Sequence, residues 1–98
     1  MALKVFWTDF AKSELRNIFD YYSENASKTI ARKIVLKIVN ETKILTNHPH
    51  IGQVEELLIN RKEQFRYIVC DNYKIIYWIN KDKNRIEIMM YLIVVKIQ

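Results

Sequence analysis

Cationic and aromatic side chains alternate along one stretch of the chain, QFRYIVCDNYKIIYWI. The dipeptide DN at its centre is typical of a two-residue hairpin turn, which places Arg66 and Lys74 on neighbouring strands. Aromatic and further basic residues surround these two cations: Arg61, Lys62, Tyr67, Tyr73, Tyr77, Trp78 and Arg85. Such a surface can hold a phosphate backbone and stack on bases. The alternative is that the rings are strand formers that pack a core.

Histidine and cysteine offer little further chemistry. His48 and His50 flank Pro49 without a Cys or carboxylate at the spacing of a metal site, so we expect a solvated turn. No arrangement of His and carboxylate accompanies Cys70, so we expect a buried thiol. The chain has one glycine, which excludes a glycine-rich phosphate loop. The sequence therefore predicts no metal and no cofactor.

The net charge of +5 lies mostly in two segments. Residues 27–43 carry five basic side chains and one acidic one, and residues 60–85 carry seven basic and three acidic ones. Two basic segments favour an anionic partner, either nucleic acid or an acidic protein. The alternative is ordinary surface charge that keeps a small domain soluble.

The composition also indicates a compartment. One cysteine excludes an internal disulfide and fits a reducing environment. The start MALKVFW lacks the apolar stretch of a signal peptide. The apolar run IMMYLIVV is far shorter than the ~20 residues of a membrane span. We therefore expect a cytoplasmic protein with no membrane partner.

The apolar periodicity predicts two helices followed by strands. Thr8 and Ser27 stand where helix N-caps are expected. Pro49 ends the second helix, and Gly52 permits a left-handed backbone in the turn that follows. The predicted elements are a strand over 3–7, helices over 9–24 and from 27 to about 46, a weak strand over 56–60, and strands over 64–70, 73–80 and from 85 onward.

The order β-α-α-β-β-β predicts an α+β fold in which a helical hairpin packs on one face of a small antiparallel sheet. The predicted core consists of Ala11, Leu15, Ile18, Ile34, Ile38, Ile75, Tyr77 and Ile86. The short chain shows no internal repeat, so we expect residues 1–98 to form a single domain.

Three segments resemble the RelE/ParE superfamily of bacterial toxins: VFWTDFAKSELRNIFDYYSENASKTIARKIV, HPHIGQ and FRYIVCDNYKIIYWI. The resemblance covers about residues 3–89. It implies the β-α-α-β-β-β layout and the toxin of a type II toxin–antitoxin module, of the kind associated with plasmid stabilisation. It also implies a cognate antitoxin encoded beside the toxin.

The superfamily divides by target into RelE-like, ribosome-dependent mRNA endonucleases and ParE-like inhibitors of DNA gyrase, which are not nucleases. In the nuclease branch two basic residues alternate on the strand that matches FRYIV, and a third follows on the next strand. Arg66 fits the first position and Lys74 the third, but Ile68 occupies the second. The C-terminal Arg of that branch is absent, and Tyr91 is out of register. The resemblance therefore implies a ParE-like gyrase inhibitor that is not an enzyme.

Two alternatives remain open: a RelE-like endonuclease acting on ribosome and mRNA, and a non-toxic nucleic-acid-binding domain. The candidates for contact with the target are Arg61, Arg66, Lys74 and Arg85. Lys33 and Lys37, on the basic face of the second helix, are the candidates for contact with the antitoxin.

The chain ends with EIMMYLIVVKIQ, whereas similar ParE-like chains commonly end with a polar stretch such as IMDVFDCRQNP. The string ATG GAT GTA TTT GAT TGT CGT CAA AAT CC encodes the polar ending. Loss of its first G after ATG yields MMYLIVVKI, the residues found here. We hypothesise that a one-nucleotide deletion after Met89 shifted the reading frame over residues 89–98. The alternative is a divergent tail that extends the last strand.

Overall fold

The structure, a computed structural model, describes residues 2–58 and 60–90, with Leu57 described by its backbone alone. Its elements are β1 (Lys4–Trp7), α1 (Asp9–Asn25), α2 (Lys28–Thr42), a 3₁₀ turn (Lys43–Thr46), β2 (Gln53–Val54), a second 3₁₀ turn (Glu56–Leu58), β3 (Arg66–Cys70), β4 (Tyr73–Asn80) and β5 (Arg85–Ile88). The tail on which the frameshift hypothesis rests, residues 91–98, lies outside the described residues, as does Tyr91.

Both helices begin at the expected caps. The Thr8 hydroxyl accepts a hydrogen bond from the Ala11 amide (3.2 Å), and the Ser27 hydroxyl accepts one from the Ile30 amide (3.1 Å). The second helix ends at Thr42 rather than continuing to about residue 46, because the chain tightens there into a 3₁₀ turn. The Thr42 hydroxyl donates to the Val39 carbonyl oxygen (2.7 Å), a local bond that competes with regular helical geometry.

The five strands form one sheet in the order β1-β5-β4-β3-β2. The hairpins β3–β4 and β4–β5 are antiparallel as predicted, whereas β1 pairs with β5 in parallel. The Thr8 hydroxyl donates to the Ile88 carbonyl oxygen (2.7 Å), so the same residue caps α1 and ties its start to the end of β5. The α+β fold with a helical hairpin on a mostly antiparallel sheet is thus confirmed.

The weak strand predicted over 56–60 is wrong. The strand at this edge is Gln53–Val54, which pairs with Tyr67 and Arg66 of β3. The Glu55 amide still donates to the Phe65 carbonyl oxygen (2.9 Å), but the chain then turns through a 3₁₀ turn. The Glu55 side chain is buried beside an ammonium group, as described below, while the following residues leave the sheet edge.

The core lies between the helices and one face of the sheet, as the alternation in β4 predicted. Strand residues Ile75, Tyr77 and Ile86 are fully buried. The helices contribute small and branched residues to the same core: Ala11, Ile18, Ala31 and Ile38, together with Leu45 of the 3₁₀ turn. Leu15 and Ile34 are partly buried against it. None of the described helices is long and apolar enough to cross a membrane.

Candidate binding surfaces

A buried tyrosine fixes the turn between the helices and the sheet. The Tyr77 hydroxyl donates to the Pro49 carbonyl oxygen (2.7 Å) and accepts from the Gly52 amide (2.9 Å). A Cβ at position 52 would lie 2.6 Å from the Tyr77 hydroxyl oxygen and 2.8 Å from the Tyr67 carbonyl oxygen. Glycine is therefore needed for close approach. Gly52 does not use the left-handed conformation that a glycine permits, since no described glycine has a positive φ.

Arg66 holds the same turn from β3. Its guanidinium donates to the Gly52 carbonyl oxygen (2.9 Å) and, at 3.4 Å, to that of His50. Arg66 pairs with Tyr77 in the β3–β4 ladder, so its side chain leaves the sheet on the face that the helices cover. This candidate for target contact is therefore engaged with backbone carbonyls of its own chain.

Lys74 leaves the sheet on the opposite face, which we call the outer face. Its ammonium lies 3.0 Å from the Glu55 carboxylate and 4.3 Å from the centre of the Tyr67 ring. Only 4% of the Glu55 side chain and 20% of the Lys74 side chain are exposed. The charge of Lys74 is therefore largely offset inside the fold, and the pair anchors the segment after β2.

Arg85 opens β5 on the outer face. Its guanidinium stacks on the Phe6 ring at 3.7 Å and lies 3.3 Å from the Glu87 carboxylate.

Arg61, the fourth candidate, is an exposed residue between the second 3₁₀ turn and β3 and lines a cleft of about 250 Å³. The other residues that line this cleft are Leu58, Glu63, Phe65 and Met89.

The four candidate cations therefore do not form one cluster. Arg66 lies on the helix-covered face, whereas Lys74 and Arg85 lie on the outer face, eleven positions apart along the β4–β5 hairpin and each with a carboxylate. Ile68, at the position where the nuclease branch carries its second cation, is half-buried against the core. This arrangement provides no set of converging cations around a scissile phosphate.

The antitoxin candidates lie on the exposed side of α2. Lys33 and Lys37 are both exposed, and between them Leu36 presents an apolar side chain that is 59% exposed. The Lys37 ammonium contacts the Asp71 carboxylate at the tip of the β3–β4 hairpin (2.7 Å). This hydrogen bond and the negative charge of Asp71 raise the pKa of Lys37.

Elsewhere on the hairpin the two helices leave an open groove, which we call the interhelical groove. Its volume is about 380 Å³. Apolar and charged residues of both helices line it: Lys12, Leu15, Arg16, Phe19, Asp20 and Val35. The predicted core residues do not indicate this groove, but Phe19 and Val35 lie just beside the core positions of their helices and make the apolar stripe wider than the core requires.

The remaining candidates for chemistry behave as structural groups. Cys70 is buried, as expected, and burial raises the pKa of its thiol. His48 and His50 are exposed in the turn before β2. Among residues 2–58 and 60–90, no group of three or more His, Cys, Asp or Glu residues could hold a metal ion.

Comparison with known protein families shows to which family of proteins this chain belongs. A family model described as the ParE toxin of the type II toxin-antitoxin system parDE matches residues 5–90. The chain belongs to the ParE toxin family. No curated protein matches it in sequence.

A solved structure supports the fold of this ParE-family toxin. The structure titled "Chromosomal ParDE TA system from P. aeruginosa" matches with a TM-score of 0.76 and 19% sequence identity. The match covers 97% of this chain and 98% of that one. At this identity the likeness shows the fold alone. The α+β architecture inferred from the sequence is thus that of a ParE-family toxin.

Proposed function

We propose that this ParE-family toxin inhibits DNA gyrase by binding and carries out no chemistry itself. The observation that carries the proposal is which residues occupy the two β3 positions that are basic in the RelE-like nuclease branch, and what those residues contact. Arg66 holds the carbonyl oxygens of the 50–52 turn, and Ile68 packs against the core. Arg66 is thus engaged by its own chain and Ile68 carries no charge, which favours recognition of a target by surface contacts over cleavage of a phosphodiester.

The residues after Met89 bear on whether this chain can inhibit its target. The family match ends at residue 90, next to the point where the proposed deletion shifts the reading frame. We propose that the polar ending lost in this chain contributes to contact with the target. The chain as it stands is then a weak inhibitor that still folds, because the buried core positions of the described residues, Met90 excepted, precede the break.

The test compares two purified proteins in a gyrase supercoiling assay and in a ribosome-dependent mRNA cleavage assay. One is the 98-residue chain, and the other carries DVFDCRQNP in place of the residues after Met89. We expect the repaired protein to inhibit supercoiling and neither protein to cleave mRNA. Cleavage by the repaired protein would instead support the endonuclease alternative, and inactivity of the repaired protein in both assays would contradict inhibition of gyrase.

We further propose that an antitoxin encoded beside the toxin neutralises it by laying an acidic amphipathic segment along α2 and the interhelical groove. The support is charge and shape: Lys33 and Lys37 flank the exposed Leu36, and apolar side chains of both helices line part of the groove. An apolar stripe with acidic neighbours on the partner matches both features.

Charge reversal tests this placement. Lys33→Glu with Lys37→Glu should weaken the complex at least tenfold and reduce its salt sensitivity. The matched control, Lys43→Glu with Lys62→Glu, makes the same change of charge at exposed positions elsewhere. Asp71→Asn frees Lys37 from its ion pair and should leave the affinity unchanged or raise it. Equal affinities for the reversed pair and the control would contradict the α2 surface.

A further inference from the structure

A basic surface with an aromatic ring lies at one end of the outer face, away from the residues discussed for the antitoxin. The register places Lys4 of β1 beside Arg85 of β5, and Arg85 beside Asn80 of β4. Paired residues of neighbouring strands share a face. These three side chains therefore form a polar row across three strands, with a cation at two of its three positions.

The next row on the same face is aromatic at both ends. Phe6 of β1 pairs with Glu87 of β5, which pairs with Trp78 of β4. Two residues along a strand separate the rows, roughly 6.6 Å. The Phe6 ring is 38% exposed, and Trp78 is half-buried.

Arg85 joins the two rows. Its guanidinium lies over the Phe6 ring at 3.7 Å, and its ion pair with Glu87 offsets the carboxylate that sits between the aromatic residues. Asn80 also donates to Glu87, at 3.5 Å. A planar cation stacked on a ring is a surface on which a nucleic-acid base can stack.

The β4–β5 turn adds exposed cations beside the polar row. Lys81 and Lys83 are exposed, with Asp82 between them. The turn is ordered by local bonds: the Lys83 amide donates to the Asn80 side chain (3.1 Å), and the Asn84 amide donates to the Lys81 carbonyl oxygen (3.2 Å). With Lys4, the two lysines form a set of ammonium groups along the rim of the face.

We propose that this surface, formed by Lys4, Phe6, Lys81, Lys83 and Arg85, binds single-stranded nucleic acid. The lysines contact phosphates, and unpaired bases stack on the Phe6–Arg85 platform. An acidic peptide could form ion pairs with the lysines, but its carboxylates would not stack on the Phe6–Arg85 platform. A duplex keeps its bases stacked inside, so it would leave the platform unused. The proposal does not depend on gyrase inhibition and is tested with the purified chain alone.

The experiment measures fluorescence anisotropy of a labelled single-stranded oligonucleotide as a function of salt. Lys81→Ala with Lys83→Ala should weaken binding on the order of tenfold and reduce the slope of log K against log salt by about 1.4, since each phosphate contact contributes ~0.7. The matched control, Lys28→Ala with Arg32→Ala, removes the same charge from exposed positions on α2, the helix whose Lys37 contacts the opposite hairpin. It should leave binding and slope unchanged.

A second variant isolates stacking. Phe6→Leu keeps an apolar side chain on β1 and should weaken single-strand binding several-fold without changing the salt slope, because no charge is lost. Circular dichroism verifies that each variant is folded.

Three results would overturn the proposal. The first is equal binding by the lysine variant and its control. The second is equal affinity for duplex and single strand together with no effect of Phe6→Leu, which would indicate contact with phosphates alone. The third is displacement of the oligonucleotide by polyglutamate of equal charge at equal concentration, which would indicate a surface for acidic protein.

Discussion

The basic residues of β3 and β4 differ from those of the β4–β5 turn in whether other groups of the chain engage their charge. Arg66 donates to backbone carbonyl oxygens, and Lys74 pairs with a buried carboxylate. Lys81 and Lys83 are exposed at the other end of the outer face. The first group stabilises the fold, and the second is available to a partner. A basic residue on a sheet therefore indicates a binding surface only when its neighbours leave the charge free.

Breaking the Lys74–Glu55 pair should have the largest effect on stability. Lys74→Met leaves the carboxylate, 4% exposed, without its ammonium partner. We expect a loss of about 2–3 kcal/mol in the free energy of unfolding, somewhat less than for a fully buried pair because Lys74 is partly exposed. Urea unfolding measures it.

Two controls accompany this variant. Lys81→Met makes the same substitution in the exposed group and should not shift the urea midpoint. Glu55→Gln combined with Lys74→Met removes the negative charge together with the positive one and should recover part of the loss. A Lys74→Met protein as stable as Lys81→Met would mean that the buried pair does not anchor the segment after β2.

Removing the Tyr77 hydroxyl should have the next largest effect. Tyr77→Phe leaves the buried Gly52 amide without its acceptor, which costs about 1–2 kcal/mol. Tyr67→Phe is the matched control, since its hydroxyl donates to Gln53 in an exposed position and should matter much less. Equal unfolding midpoints for the two variants would contradict the role given to the Tyr77 hydroxyl in fixing the turn.

Raising the pH above 10 should lower the free energy of unfolding, by less than either substitution does. Burial is the first cause that raises the pKa of Tyr73 and Tyr77. Their folded-state pKa values exceed the ordinary value near 10, so the stability they contribute is complete below pH 10 and is lost as the pH rises above it. For Tyr73, whose pKa is raised the more strongly, the loss at pH 10 is about 0.4 kcal/mol, because half of the unfolded-state tyrosine is then ionised.

Unfolding by urea at several pH values between 8 and 11 measures this loss. Tyr73→Phe should reduce the steepness of the decline. If the stability of that variant declined as steeply with pH as that of the unmodified chain, groups other than Tyr73 would cause the pH dependence.

The helix caps, the two hairpins and the buried face of β4 could be read from the sequence because each depends on neighbouring residues. Thr8 and Ser27 cap the helices they precede, and the alternation from Tyr73 to Ile79 fixes the face of β4. The position of β2 could not be predicted. It depends on Tyr77 and Arg66, which reach residues 49–52 from distant parts of the chain.

The candidate site was harder to predict for a related reason. Arg66 and Lys74 are basic in the sequence, but their partners lie 14 and 19 positions away. Nothing in the sequence marks Lys4 and Phe6 as site residues, because only the parallel pairing of β1 with β5 brings them beside Arg85. Sequence periodicity identifies the face of a strand but not the neighbour on the next strand.

The central claim is that this fold presents a toxin which acts by binding rather than by cleaving RNA. The most direct measurement is inducible expression of the 98-residue chain and of the frame-repaired chain in a host that lacks the antitoxin, with DNA damage and ribosome-dependent mRNA cleavage followed in the same cultures. We expect growth arrest with DNA damage and filamentation for the repaired chain, intact mRNA in both cultures, and weak or no arrest for the 98-residue chain. Arrest accompanied by mRNA cleavage without DNA damage would contradict it.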